Sequence, residues 1–150
     1  MKLKKILMAE DNELDAELTL EALKESKLAN KVDWVRDGQE ALDYLRCKGE
    51  YSDREAEKPL FVLLDIKMPK VSGLEVLEEI RKDSKLKLLP VVLLTSSREE
   101  NDLISGYELG ANAYVVKPVD YAKFIETVNT LGQFWAVINE PPETECGDIK

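Results

Sequence analysis

The sequence contains no histidine among its 150 residues. That excludes Ser–His and Cys–His nucleophile pairs, HExxH zinc sites and phosphorylation of the chain on a histidine of its own. Cysteine is scarce: Cys47 and Cys146 lie far apart in polar segments and form no CxxC pair. They are expected as two reduced thiols in a reducing compartment. No apolar run approaches the ~18 residues of a membrane-spanning helix. The opening Met1-Lys2-Leu3-Lys4-Lys5-Ile6 lacks the apolar core and small-residue cleavage site of a signal peptide. Positive charge is in deficit, with 21 Lys+Arg against 30 Asp+Glu and a net charge of −9. A surface of that sign repels phosphate backbones, which argues against nucleic acid as a partner. The expectation is a cytoplasmic protein that binds neither nucleic acid nor membrane.

What is present suits one domain with a sizeable core: 44% of residues are hydrophobic and 34% charged. Five short apolar runs stand out: Lys5–Ala9, Val32–Val35, Leu60–Leu64, Val91–Leu94 and Ala113–Val116. Three of them are Val/Leu/Ile-rich without polar alternation, as expected of strands buried on both faces of a parallel sheet. Amphipathic stretches lie between. Leu14, Leu18, Ala22 and Leu23 follow Asp11-Asn12, a pair able to cap a helix. Further helical spacings follow Asp37-Gly38 and Ser72-Gly73, precede Leu109-Gly110, and follow Asp120. Five β–α repeats predict a doubly wound α/β fold, a five-stranded parallel sheet with five helices. Residues 47–58 read as a long surface loop and residues 140–150 as a loose acidic tail after a domain spanning 1–139, leaving no room for an output domain.

In open parallel sheets, function gathers beyond the carboxyl ends of the strands. Glu10 and Asp11 stand there after the first strand, Asp65 after the third, Thr95-Ser96-Ser97 after the fourth and Lys117-Pro118 after the fifth. Three carboxylates held together need protons or a cation, and an oxygen-only set suits Mg2+. Lys117 would neutralise part of the charge or hold a phosphoryl oxygen, Thr95 would donate to the same oxygen, and Asp65 would be the nucleophile. Taken singly, these residues have simpler readings. Asp11-Asn12 and Thr95-Ser96-Ser97 serve equally as helix caps, and Lys117 as a solvated lysine beside a turn. The joint pattern is harder to explain that way.

Three other functions fit less well. A phosphatase of the haloacid-dehalogenase type wants a second aspartate two residues after the nucleophile, where Lys67 stands. A flavodoxin-like electron carrier needs a phosphate loop after the first strand, where Glu10-Asp11 would repel phosphate. An unphosphorylated binding module would have no use for the whole set of Asp11, Asp65, Thr95 and Lys117.

The segments Ala9-Glu10-Asp11-Asn12, Leu63-Leu64-Asp65-Ile66-Lys67-Met68-Pro69, Leu94-Thr95-Ser96, Gly110-Ala111 and Tyr114-Val115-Val116-Lys117-Pro118, with Gly73, resemble the receiver domain of two-component response regulators over about residues 3–139. The intervals match too, with Thr95 thirty and Lys117 fifty-two residues after Asp65. The resemblance implies a flavodoxin-like strand order 2-1-3-4-5 and a phosphoacceptor role for Asp65. It implies Mg2+ ligation by Asp11, Asp65 and the Lys67 carbonyl, with Glu10 acting through a metal-bound water. Thr95 and Tyr114 would be switch residues, Lys117 would pair with phosphate, and the Lys117-Pro118 peptide would be cis. The donor would be a partner histidine kinase; the chain would be a switch catalysing its own phosphorylation and dephosphorylation rather than an enzyme. The long loop before the third strand, the segment Asp102–Leu109 and the Phe134-Trp135 pair resemble single-domain regulators paired with phytochrome kinases. Excess apolar surface around Phe134 and Trp135 predicts a homodimer through the last helix.

Overall fold

The computed structural model describes residues 5–26, 31–54, 58–95 and 105–117, together with residues 122 and 126. The elements run β1 (Lys5–Ala9), α1 (Glu13–Ser26), β2 (Lys31–Val35), α2 (Gly38–Arg46), a 3₁₀ turn (Gly49–Tyr51), β3 (Val62–Asp65), α3 (Gly73–Lys82), β4 (Val91–Thr95) and β5 (Ala113–Val116). Residues 105–108 are helical ahead of β5, as are residues 122 and 126 after it. All strand pairs are parallel, in the order β2-β1-β3-β4-β5. The expected topology is therefore observed. The third strand begins two residues later than its apolar run and takes in Asp65.

The unbroken apolar runs follow from burial on both faces. Side chains alternate across a strand, so Leu7 and Ala9 of β1 join one core with α2 and α3, while Ile6 and Met8 join a second with α1. The same alternation sends Val62 and Leu64 one way and Leu63 the other. Side chains cap α1, α2 and α3, the first of them within the Asp11-Asn12 pair that the sequence offered. Asn12 Oδ1 accepts from Asp15 N at 2.9 Å, Asp37 Oδ1 from Glu40 N at 2.7 Å, and Ser72 Oγ from Glu75 N at 3.2 Å. Because Asn12 caps α1, Asp11 is left for other work.

One expectation is corrected. In α1 the buried face carries Ala16, Thr19, Ala22 and Leu23, whereas Leu14 and Leu18 stand exposed. Thr19 escaped notice because it is polar; its hydroxyl is satisfied by donation to the Asp15 carbonyl at 2.9 Å. The described part of the surface loop after α2 is organised by ring contacts. Tyr51 packs edge-on against Tyr44 at 5.3 Å, and Arg54 lies 4.0 Å over the Tyr44 ring while donating to the Tyr44 carbonyl. Cys146, Ser96, Ser97, Leu103, Ile104, Pro118, the fifth helix with Phe134 and Trp135, and the tail lie outside the described residues.

The loop after β3 is held against the start of α2 by a close backbone approach. A Cβ on Gly38 would sit 1.9 Å from the Val71 carbonyl oxygen. No rotamer relieves a clash with backbone. Gly38→Ala should therefore destabilise the fold by about 2 kcal/mol or more, as overpacking does. Urea denaturation checks this; an unchanged midpoint would mean that the loop moves aside freely.

Candidate functional site

The carboxyl ends of β1, β3, β4 and β5 meet at one rim of the sheet. Glu10 is fixed there through backbone and side chain together. Its N–H donates to the Val35 carbonyl at 3.0 Å, and its carbonyl accepts from Trp34 Nε1 at 2.8 Å. Its Oε2 accepts from Asn12 N at 3.1 Å. The remaining oxygen, Oε1, is buried and has no hydrogen-bond donor aligned on it, although Lys117 Nζ stands 2.7 Å away as an ion pair.

Asp65 ends β3 almost fully buried. Ile66 N donates to the Leu94 carbonyl at 3.0 Å, and Gly73 N to the Ile66 carbonyl at 2.8 Å, so the backbone around Asp65 is tied to β4 and to the start of α3. A Cβ on Gly73 would meet the Asp65 carbonyl oxygen at 2.1 Å, so this approach needs glycine. Carboxylate oxygens of Glu10, Asp11 and Asp65 all lie within 4.8 Å of one another. Lys117 Nζ reaches Asp65 Oδ2 at 3.1 Å and also Asp15 Oδ2 at 3.2 Å. Thr95, the last residue of β4, is buried beside them, and its carbonyl accepts from Lys117 N at 2.7 Å.

Crowding of buried negative charge dominates the electrostatics. Burial, then the neighbouring Glu10 carboxylate, push the Asp65 carboxyl up to about 8, against the opposing pull of Lys117. Burial alone would lower Lys117, but Glu10 and Asp65 outweigh it and raise the ammonium to about 12. A cation fits this arrangement. The donors are all oxygen, they converge, and one buried oxygen of Glu10 lacks a hydrogen bond.

An open cleft of about 610 Å³ leads to the cluster, lined by Asp11, Ile66, Lys67, Met68, Pro69, Ser72 and Leu74. The exposed Lys67 lies on its wall. Tyr114 is half-exposed on β5, its ring edge-on to that of Tyr107 at 5.8 Å. It points away from the buried cluster.

The structure thus gathers Glu10, Asp11, Asp65, Thr95 and Lys117 at one place, with Lys67 at its mouth and Tyr114 to one side. Sequence reading missed Asp15 and Trp34. Asp15 reads as an ordinary acidic residue three places after a cap, and Trp34 as part of an apolar run.

Residues 6–129 match the response regulator receiver domain. The bacteriophytochrome response regulator RtBRR has a similar solved structure, with a TM-score of 0.83 and 55% identity over 94% of this chain and 85% of that one. Response regulator Rcp1 of Synechocystis sp. is 39% identical over 132 residues, 88% of each chain. A Mn(2+)-bound form of Rcp1 aligns with a TM-score of 0.73 over 88% of this chain and 94% of that one. The phosphorylated cyanobacterial phytochrome response regulator RcpA aligns with a TM-score of 0.75 and 39% identity, covering 96% of this chain and 99% of that one. With the sheet order, the acidic rim and this agreement along nearly the whole chain, the protein belongs to the response regulator receiver domain family.

Proposed function

We propose that the chain is a phosphoacceptor switch in which Asp65 takes a phosphoryl group from a phosphohistidine of a partner sensor kinase. The observation that carries this reading is the convergence of Glu10, Asp11 and Asp65, two of them buried, with Lys117 paired to both buried members. An Asp65 oxygen attacks phosphorus, the P–N bond to the donor imidazole breaks, and the imidazole leaves. Asp11, Asp65 and the Lys67 carbonyl would hold Mg2+, with Glu10 acting through a bound water. That ion would neutralise charge on the transferring group and keep Asp65 ionised. Lys117 balances charge on the equatorial oxygens, and the Thr95 hydroxyl donates to one of them once transfer is complete. Water attacking the acyl phosphate returns Asp65 to its resting state, so the chain assists both its own phosphorylation and its dephosphorylation.

The names of RtBRR and RcpA support a phytochrome-type kinase as the donor. A donor charged from ATP supports a cytoplasmic location, and the net charge of −9 speaks against nucleic acid and anionic membrane surfaces as partners. We assign the receiver to residues 1–139 and an acidic tail to 140–150. As output we propose a homodimer through Phe134 and Trp135 together with the surface of β5 and the helical segment before it, where Tyr114 and Tyr107 present a pair of exposed rings. Movement of Thr95 toward the phosphoryl group, with inward turning of Tyr114, would couple that face to the site.

Intact mass after incubation with a small acyl phosphate and Mg2+ tests the acceptor. Wild type should gain one phosphoryl group and Asp65→Asn none; full labelling of the variant would sink the assignment.

Removing the metal should expose the charge problem. The folded chain holds a proton on Asp65 to about pH 8, whereas the unfolded chain releases it near 3.8. Metal-free protein should therefore lose stability as pH rises through that window. Mg2+ at a hundredfold excess over Kd should restore ~2.7 kcal/mol. Thermal melts with chelator or Mg2+ measure this, and Asp11→Ala should remove most of the Mg2+ effect. An unchanged Mg2+ shift in that variant would place the metal elsewhere.

Light scattering on wild type and on the double variant Phe134→Ala, Trp135→Ala tests the dimer. Truncating central aromatic anchors typically costs ~2 kcal/mol or more of association energy. A wild type that stays monomeric at high micromolar concentration, phosphorylated or not, would remove this output.

A further inference from the structure

Lys117 carries three N–H donors, and three carboxylate oxygens surround it: Glu10 Oε1 at 2.7 Å, Asp65 Oδ2 at 3.1 Å and Asp15 Oδ2 at 3.2 Å. To reach a phosphoryl oxygen the ammonium must leave one of them. Glu10 is wholly buried and pinned by Asn12 N, so abandoning it would strand a charge away from water. Asp65 itself receives the phosphoryl group. Asp15 is different, because its side chain is 28% exposed and water can replace the lysine.

The local structure explains why Asp15 is available. It stands three residues after Asn12, where an acidic side chain commonly reaches back to the N–H of the capping residue. Here Glu10 Oε2 already accepts from Asn12 N at 3.1 Å. The Asp15 backbone is meanwhile fixed by Asn12 Oδ1 and by the Thr19 hydroxyl, at 2.9 Å each. The Asp15 carboxylate is thus relieved of capping and held facing Lys117.

We propose that Asp15 is a positioning residue for Lys117. It holds the ammonium at the α1 side of the cluster while Asp65 is unmodified, and competes with an incoming phosphoryl group for it. This rests on the reading of Asp65 as phosphoacceptor. The carboxylate also adds negative charge beside the path of an anionic donor. Both effects slow phosphorylation of the resting protein.

The test is the initial rate of labelling by a small acyl phosphate at subsaturating concentration with saturating Mg2+. Asp15→Asn keeps the shape and removes the charge, and should be labelled about fivefold faster than wild type, the size expected of one partly solvated charge pair. Asp15→Glu keeps the charge and should restore a rate near wild type. Thermal melts of all three proteins check that the fold is kept, since a merely structural carboxylate would move the melt and leave the rate alone. An unchanged or slower Asp15→Asn, or an equally fast Asp15→Glu, overturns the proposal. If wild type takes up no phosphoryl group, the phosphoacceptor reading falls and this inference with it. If wild type is labelled, only the role of Asp15 is at stake.

Discussion

Mutual repulsion of Glu10, Asp11 and Asp65 is the constraint around which this molecule is organised. Three carboxylates converge within 4.8 Å where two of them are nearly inaccessible to water. Such groups are costly to bury unless paired, protonated or bound to a cation. One ammonium cannot balance them, and without a bound cation Asp65 accordingly keeps its proton to about pH 8. The fold therefore gives up some stability at this rim. What it gains is a site whose charge favours a cation.

Holding such a cluster in place takes backbone rather than side-chain packing. Glu10 is fixed by its own N–H and C=O, the latter through Trp34. Asp65 is fixed by hydrogen bonds on either side of Ile66 and by the approach of Gly73. The division of labour at α1 follows the same logic. Asn12 caps the helix and Glu10 satisfies the N–H of Asn12. Asp11 can then face the cleft and Asp15 can face Lys117.

Most of the fold was legible in the sequence because strands buried on both faces leave unbroken apolar runs, and parallel connections leave few topologies. Site membership was legible because Asp65, Thr95 and Lys117 end such runs. Side-chain direction was not. Leu14 and Leu18 lie at helical spacing with Leu23 yet face solvent, since Thr19 occupies the inner face in their stead. Asp15 and Lys117 are 102 positions apart, and nothing in the sequence pattern couples them. Trp34 was hidden by its apolar neighbours, its role residing in one indole N–H.

A signal at Asp65 has a short physical route to the surface. Asp65 and Thr95 end neighbouring parallel strands, and Thr95 lies opposite Val116 in the register of β4 and β5. The Thr95 carbonyl accepts from Lys117 N, so phosphoacceptor, hydroxyl and lysine share one hydrogen-bonded edge. Tyr114 lies three residues before Lys117 on β5, which is the edge strand of the sheet. In the resting arrangement its ring lies outside against Tyr107. A phosphoryl group shifts the balance only by interacting differently with the two arrangements. On the proposed reading Thr95 would do so, being a buried hydroxyl at the end of the strand next to that of Asp65. An edge strand is also the cheapest place for a ring to turn, because no further strand packs beyond it. Only β4 thus separates the crowded carboxylate at the end of β3 from the edge strand that carries Tyr114.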